Sequence, residues 1–131
     1  MPTARHILIV DDHLLVRAVL ARAVAQLWPD AAIVEAAHGA EALSAAAQRR
    51  PDLIITDYHM PIMDGLELCR TLRAQGATIP ILVLSSDTIA VEALRTAGVT
   101  AFLPKPFRLR VLKQLLRTLL PNNKETQTGG G

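Results

Sequence analysis

The stretch from residue 51 to residue 65, PDLIITDYHMPIMDG, decides the fold expected of this chain. A run of leucine and isoleucine ends in a single acid, Asp57, and Pro61 and Gly65 follow within eight residues. A nearly continuous apolar run is typical of a strand that is covered on both faces of a sheet. The stretch therefore predicts a buried strand that carries one carboxylate to its end, followed by a loop of fixed shape.

Similar apolar runs recur along the chain and alternate with helical patterns. Strands are predicted at 6–10, 32–36, 53–56, 81–84 and 99–103. Helices are predicted near 15–28, 40–48, 66–75, 89–97 and 109–120, the third and fourth capped by Gly76 and Gly98. The first helix is expected to bury a stripe of Val16, Val19, Leu20, Ala23 and Leu27. Strict alternation predicts an α/β fold, with helices on both faces of a parallel sheet.

Composition narrows the class of protein. The 131 residues are 50% hydrophobic and 20% charged, which suits one compact domain with a real core. We expect a cytoplasmic protein without a membrane span, because the apolar runs are short and Cys69 is the single cysteine. A net charge of +2 gives no argument for direct nucleic-acid binding.

Polar side chains follow the apolar runs at the points where the predicted strands end. They are Asp11 and Asp12, Asp57, Ser85, and Lys105. Because the carboxyl ends of parallel strands share one sheet edge, these groups are expected to meet. Clustered carboxylates repel one another, and either a cation or proton uptake by one acid must offset that repulsion. Mg²⁺ would suit the site as the cation, because it prefers oxygen ligands. A hydroxyl and an ammonium opposite the metal would then suit a phosphoryl group.

Four motifs in this order resemble the receiver domains of bacterial response regulators, the CheY-like family. They are DD after the first strand, DYHMPIMDG after the third, SS after the fourth and KPF after the fifth. The resemblance covers residues 5–120. It implies a flavodoxin-like, doubly wound (βα)5 fold with strand order 2-1-3-4-5. It also implies a receiver domain over 1–120, and we interpret 121–131 as a flexible polar tail or linker.

The resemblance assigns chemistry to individual residues. Asp57 would accept a phosphoryl group from a sensor histidine kinase or a histidine phosphotransfer protein. Mg²⁺ would be held by Asp12, Asp57 and the backbone carbonyl of His59, with Asp11 acting through water. Lys105 and Ser85 would bind the phosphoryl oxygens.

Other positions receive switching and structural roles from the same resemblance. Ser85 and Phe102 would form the switch, although many relatives carry tyrosine where Phe102 stands. The switch would act on a partner surface made of the fourth helix, fifth strand and fifth helix. His59 and Asp87 would tune the lifetime of the aspartyl phosphate. The loops would be shaped by Pro61, Gly65 and Pro106.

The fifth helix has an unusual charge pattern. Arg110, Lys113 and Arg117 share one stripe, and no acid occurs between Glu92 and Glu125. This pattern favours a downstream protein partner that is acidic, with the receiver a monomer or weak dimer, over a symmetric dimer that pairs acids with bases. An ordinary solvated helix face is the alternative.

Other functions are alternatives to the receiver hypothesis. A phosphatase of the haloacid dehalogenase type needs a second acid two residues after the nucleophile, where this chain has His59. A transition-metal site at His13 and His59 lacks a supporting spacing. The chain could also be a scaffold receiver that is never phosphorylated, or a fragment of a larger DNA-binding response regulator.

Overall fold

The computed structural model describes residues 4–86 and 91–121, which alternate between strands and helices as the sequence predicts. The strands are β1 (His6–Val10), β2 (Ala32–Ala36), β3 (Leu53–Asp57), β4 (Ile81–Ser85) and β5 (Ala101–Pro104). The helices are α1 (Leu14–Leu27), α2 (Gly39–Gln48), α3 (Gly65–Ala74), α4 (Val91–Thr96) and α5 (Leu109–Leu119). The tail from 122 and the position of Asp87 lie outside the described residues.

All five strands form one parallel sheet in the order β2-β1-β3-β4-β5. The predicted flavodoxin-like fold is therefore confirmed. β3 and β4 are buried along their whole length, whereas β2 lies at an edge and exposes part of its surface. Central strands covered on both faces explain why their sequences are continuously apolar rather than alternating.

Two separate cores cover the two faces of the sheet. One packs α2, α3 and α4 against β1, β3 and β4, and it includes Leu68, Cys69 and Leu94. The other packs α1 and α5 against the opposite face and includes Leu20 and Leu116. Alternate residues of the central strands point into one core or the other, which fixes each strand in register.

The helix ends follow the expected local rules. Asp64 caps α3, because its Oδ1 accepts a hydrogen bond of 2.8 Å from the Glu67 amide. Gly76 and Gly98 follow α3 and α4 with φ values of +88° and +91°, a conformation that favours glycine. The predicted glycine caps are confirmed.

Three details differ from the sequence predictions. Val19 was expected in the α1 stripe but is 48% exposed, because the buried face of α1 centres on Leu20, Ala23 and Val24. β3 and β4 each extend one residue further than predicted, so their last residues are polar and paired within the sheet. β5 begins at Ala101, since the preceding residues close the end of α4 through the Val99 amide and Leu94 carbonyl.

Candidate functional site

The polar residues predicted at the strand ends all lie at the carboxyl edge of the sheet. Asp11 directly follows β1, and its amide donates to the Ala36 carbonyl at 3.1 Å. Asp57 and Ser85 are the last residues of β3 and β4. Lys105 directly follows β5, and its amide donates to the Ser85 carbonyl at 2.8 Å. Backbone pairing therefore sets the position of each functional side chain.

Asp57 and Lys105 form a direct ion pair in the site. The Lys105 ammonium donates to Asp57 Oδ1 at 2.7 Å, although the residues are 48 positions apart. The Asp57 side chain is only 5% exposed and that of Lys105 is 28% exposed. A buried carboxylate needs such a cation, since burial without a partner disfavours its charge.

Asp11 is the most deeply buried acid of the site. Burial raises the pKa of its carboxyl, and the nearby Asp57 charge adds to the rise. The hydrogen bond from the His13 amide to Asp11 Oδ1, 2.8 Å long, and the charge of Lys105 both lower that pKa. Asp11 Oδ2 is buried without a hydrogen-bond partner. A carboxylate oxygen in this state needs a proton, a water or a cation.

Asp12 and His59 border the opening of the site. The Asp12 side chain is 31% exposed, and it lines a cleft together with His13, His59 and Asp64. The His59 ring is turned toward Tyr58, with ring centroids 4.8 Å apart and an edge-on orientation.

The loop between β3 and α3 lies tightly against the site. The Gly65 amide donates to the Tyr58 carbonyl at 2.8 Å. A Cβ atom on Gly65 would come within 2.6 Å of the Asp57 carbonyl oxygen, so only glycine fits there without a shift. Pro61 accepts a hydrogen bond of 2.7 Å from the Met63 amide across Ile62, which has a φ of +71°. This loop geometry fixes the backbone beside the acid.

The residues expected to switch lie on neighbouring strands. Ser85 is fully buried at the end of β4. Phe102 pairs with Val83 across the β4–β5 ladder and packs, half-buried, against the core on the α3–α4 side. The peptide bond between Lys105 and Pro106 is cis.

Two features of the site were not predicted from the sequence. Arg17 on α1 donates to the Asp11 carbonyl at 2.6 Å and to Glu35 at 3.1 Å, which ties the end of β1 to α1 and β2. An apolar groove next to Lys105 is the second feature. It is lined mainly by Leu15, Val16, Val19, Phe107 and Leu109. The helical-stripe argument assigned two groove residues, Val16 and Val19, to the core and did not include Leu15.

The donor set fits a hard divalent cation. Asp11 and Asp12 offer carboxylate oxygens within 4.8 Å of each other and of a His13 ring nitrogen, whereas Asp57 ends the neighbouring strand with one oxygen held by Lys105. One buried oxygen of Asp11 is unpartnered. Mg²⁺ takes oxygen ligands of this kind and keeps several waters.

The longest described helix has 14 residues, and none of the described helices has the length and hydropathy to cross a bilayer.

The sequence of this chain matches the response regulator receiver domain family over residues 7–117. The chain belongs to this family. The receiver is 43% identical over 121 residues to the response regulator MprA of Mycobacterium ulcerans, an alignment that covers 90% of this chain and 51% of MprA. It thus spans about half the length of the curated relatives it matches.

Solved structures show the same fold. The receiver superposes on the chemotaxis protein CheY4 of Vibrio cholerae with a TM-score of 0.82 and 31% identity, covering 90% of this chain and all of that one. It superposes on the signal receiver domain of NarL from Mycobacterium tuberculosis with a TM-score of 0.79 and 28% identity, covering 92% of this chain and all of that one. The receiver architecture predicted from the four motifs is confirmed, whereas the role of each site residue is a proposal.

Proposed function

We propose that Asp57 is the phospho-acceptor of this receiver. The contact between the buried Asp57 carboxylate and the Lys105 ammonium, 2.7 Å long, carries the proposal, because it places a shielded nucleophile beside a fixed cation. The donor would be a phosphohistidine of a sensor histidine kinase or a histidine phosphotransfer protein. A carboxylate oxygen of Asp57 attacks phosphorus in line, the P–O bond forms, and the P–N bond breaks with its electron pair passing to the imidazole.

Lys105 and Ser85 hold the transferred group in this proposal. The ammonium moves from the carboxylate to a phosphoryl oxygen, and the Ser85 hydroxyl at the end of the adjacent strand donates to another. Both positions are supported by backbone pairing, since the Lys105 amide is bonded to the Ser85 carbonyl. Fixed donors of this kind stabilise charge without having to reorganise.

Mg²⁺ would be held by Asp12, Asp57 and the backbone carbonyl of His59, with Asp11 acting through water. The buried and unpartnered Oδ2 of Asp11 supports this arrangement, because a metal-bound water would satisfy it. Bound there, the cation neutralises charge that builds up on the phosphoryl oxygens. The loop containing Pro61 and Gly65 keeps the His59 backbone in place.

The apolar groove beside Lys105 is suited to the donor protein. Leu15 is 80% exposed and Leu109 is 46% exposed on its walls. A donor helix lying in this groove would bring its phosphohistidine to the edge of the site, because Lys105 itself lines the groove.

Phosphorylation would shift the equilibrium between an inactive and an active conformation of the receiver through Ser85 and Phe102. Movement of Ser85 toward the phosphoryl group makes room for the Phe102 ring, which packing alone must stabilise because it has no hydroxyl. The surface formed by α4, β5 and α5 then binds a protein partner, and the basic stripe of α5 suits an acidic one. His59 and Asp87 are proposed to set the lifetime of the phosphorylated state.

The receiver would act as a cytoplasmic signalling module rather than as an enzyme that turns over external substrates. Because the MprA relatives are about twice as long, a role as the receiver part of a larger, DNA-binding regulator is the second candidate function. In that case DNA binding belongs to the other part, and this domain remains a monomer or weak dimer without nucleic-acid contacts of its own.

Intact-mass measurement tests the acceptor directly. The protein is incubated with acetyl phosphate, with and without Mg²⁺, alongside Asp57→Asn. We expect a gain of about 80 Da, the mass of one phosphoryl group, that needs Mg²⁺ and is absent from Asp57→Asn. Asp52→Asn serves as the control, since Asp52 lies at the opposite end of β3. No adduct after rapid quenching would favour the scaffold receiver instead.

A further inference from the structure

The basic stripe of α5 continues onto α1. Lys113 of the stripe donates a hydrogen bond to the side-chain oxygen of Gln26 on α1, although the two residues are 87 positions apart. Arg22 lies one helical turn before Gln26, so it shares the flank of α1 that faces α5. Arg22 is exposed, as are Arg110 and Arg117. We call this basic surface the α1–α5 seam, and its members are Arg22, Arg110, Lys113 and Arg117.

The apolar groove beside Lys105 supports this placement of Arg22. Val19 of α1 and Leu109 of α5 line the groove together. Arg22 follows Val19 by three residues, and so it lies one turn further along the same flank. Lys113 follows Leu109 by four residues and lies one turn further along α5. Both helices begin at the carboxyl edge of the parallel sheet and run in the same direction, so the seam begins where the groove ends.

Within residues 4–86 and 91–121, no acid forms an ion pair with the seam. Neither α1 nor α5 contains an aspartate or glutamate. The lysine and arginine ion pairs of this part of the chain are made by Arg17, Arg95 and Lys105. On α4, Arg95 is paired with Glu92 at 3.5 Å, and β5 has no charged residue. The uncompensated positive surface of α5 therefore extends toward α1 and not toward α4.

We propose that the α1–α5 seam binds an acidic helix of a partner protein. The inference rests on the proposed function and deepens it, because it assigns the acidic partner to the junction of α5 with α1. Arg110, Lys113 and Arg117 are three and four residues apart, which is the spacing of one helix face. Acids at the same spacing on a partner helix can face them over about 10 Å, the rise of seven residues.

A polypeptide suits the seam better than a nucleic acid or a membrane does. The chain has a net charge of only +2, so its overall field attracts a polyanion weakly. The seam spans about two helical turns, whereas binding to a phosphate backbone depends on many contacts along it. A short acidic helix matches both the length and the charge of the seam.

Fluorescence anisotropy with a labelled peptide tests the assignment. The probe is an alanine-rich peptide of about 18 residues, long enough to form a helix, with glutamates at positions i, i+3 and i+7. It is titrated at low ionic strength into the unphosphorylated full chain. The seam variant combines Arg22→Gln with Lys113→Gln. The control combines Arg70→Gln with Arg95→Gln and removes the same charge from α3 and α4. Glutamine is a good helix former, so both variants should fold.

We expect the seam variant to lose at least about fivefold in affinity for the glutamate peptide, and the control less than about twofold. A peptide with glutamine in place of each glutamate should bind all three proteins more weakly than the glutamate peptide binds the wild type. Equal losses in the two variants would mean that only net charge matters, and the proposal would be wrong. Tighter binding of single-stranded DNA than of the peptide, lost in the seam variant, would also overturn it.

The proposed function is judged separately in the same samples. Mg²⁺-dependent phosphorylation by acetyl phosphate should persist in the seam variant, because neither substitution touches a proposed site residue. If the wild type takes no phosphoryl group but its affinity for the glutamate peptide depends on the seam, only the acceptor assignment fails. If it is phosphorylated while the peptide binds the seam variant and the control equally well, only the seam assignment fails.

Discussion

Ile62 has an unfavourable backbone conformation in the loop beside the candidate site. Its φ of +71° and the hydrogen bond from the Met63 amide to the Pro61 carbonyl are the marks of a γ-turn with positive φ. A β-branched residue rarely adopts this conformation, and the Ile62 side chain gains no burial in return because it is fully exposed. Strain of this kind persists where neighbouring structure enforces it, here in the loop that carries His59.

Ile62→Asn should therefore stabilise the domain by about 1 kcal/mol, because asparagine tolerates positive φ. Urea denaturation followed by circular dichroism measures the change, with the m-value expected to stay constant. Ile62→Val is the control, since valine keeps the branched Cβ and the strain. Equal midpoints for the Asn and Val variants would contradict the prediction.

At the scale of an element, α5 combines a buried face with a basic one. Leu112 and Leu116 are buried against the sheet, while Arg110 and Arg117 are exposed. Lys113 donates to Gln26 and joins the stripe to α1. Neither α1 nor α5 contains an acid, so the charge of this face is not compensated within the two helices.

An acidic ligand should bind to the basic stripe of α5. We expect Arg110→Gln combined with Arg117→Gln to weaken binding of a glutamate-rich peptide about fivefold, or about 1 kcal/mol, at low ionic strength. Fluorescence anisotropy of the labelled peptide gives the affinities. The pair Arg49→Gln and Arg70→Gln removes the same charge from other exposed positions and should change the affinity less than twofold. Equal losses in the two double variants would show that only net charge matters.

At the scale of the whole molecule, the parallel sheet buries acidic side chains at the candidate site, and this burial lowers the stability of the fold. Parallel pairing gathers Asp11, Asp57 and Lys105 from three strands at one buried edge. Burial raises the pKa of Asp11, so the folded chain binds a proton there more tightly than the unfolded chain does. The stabilising contribution of Asp11 is present below its ordinary pKa of 3.8 and is lost as the pH rises through the raised folded value.

Asp11→Asn should consequently raise the Tm at pH 7 without Mg²⁺ by about 3 °C or more, equivalent to roughly 1 kcal/mol in a domain of this size. The gain should shrink as the pH falls below the folded pKa of Asp11, where the wild-type carboxyl is protonated. Thermal denaturation over a pH series measures both effects. Asp30→Asn, an exposed change beyond α1, should leave the Tm unchanged. A lower Tm for Asp11→Asn at pH 7 would refute the argument.

Much of this protein follows from local sequence. Continuous apolar runs and helical stripes depend on neighbours two to four residues apart, so the five strands, the helices and the glycine caps were predictable. The strand-end positions of Asp57, Ser85 and Lys105 followed from the same runs. Their common sheet edge then followed from the rule that parallel strands point the same way.

Only the tertiary structure decided the contacts that join distant segments. Three features of the site depend on how α1 and the β5–α5 loop pack. They are the distance of 2.7 Å between Lys105 and Asp57, the hydrogen bond from Arg17 to the Asp11 carbonyl, and the exposure of Val19 beside the apolar groove. The close fit of Gly65 against the Asp57 carbonyl depends in the same way on where the loop lies. Periodicity reports which side of an element is apolar, but packing angles and loop paths determine which atoms meet.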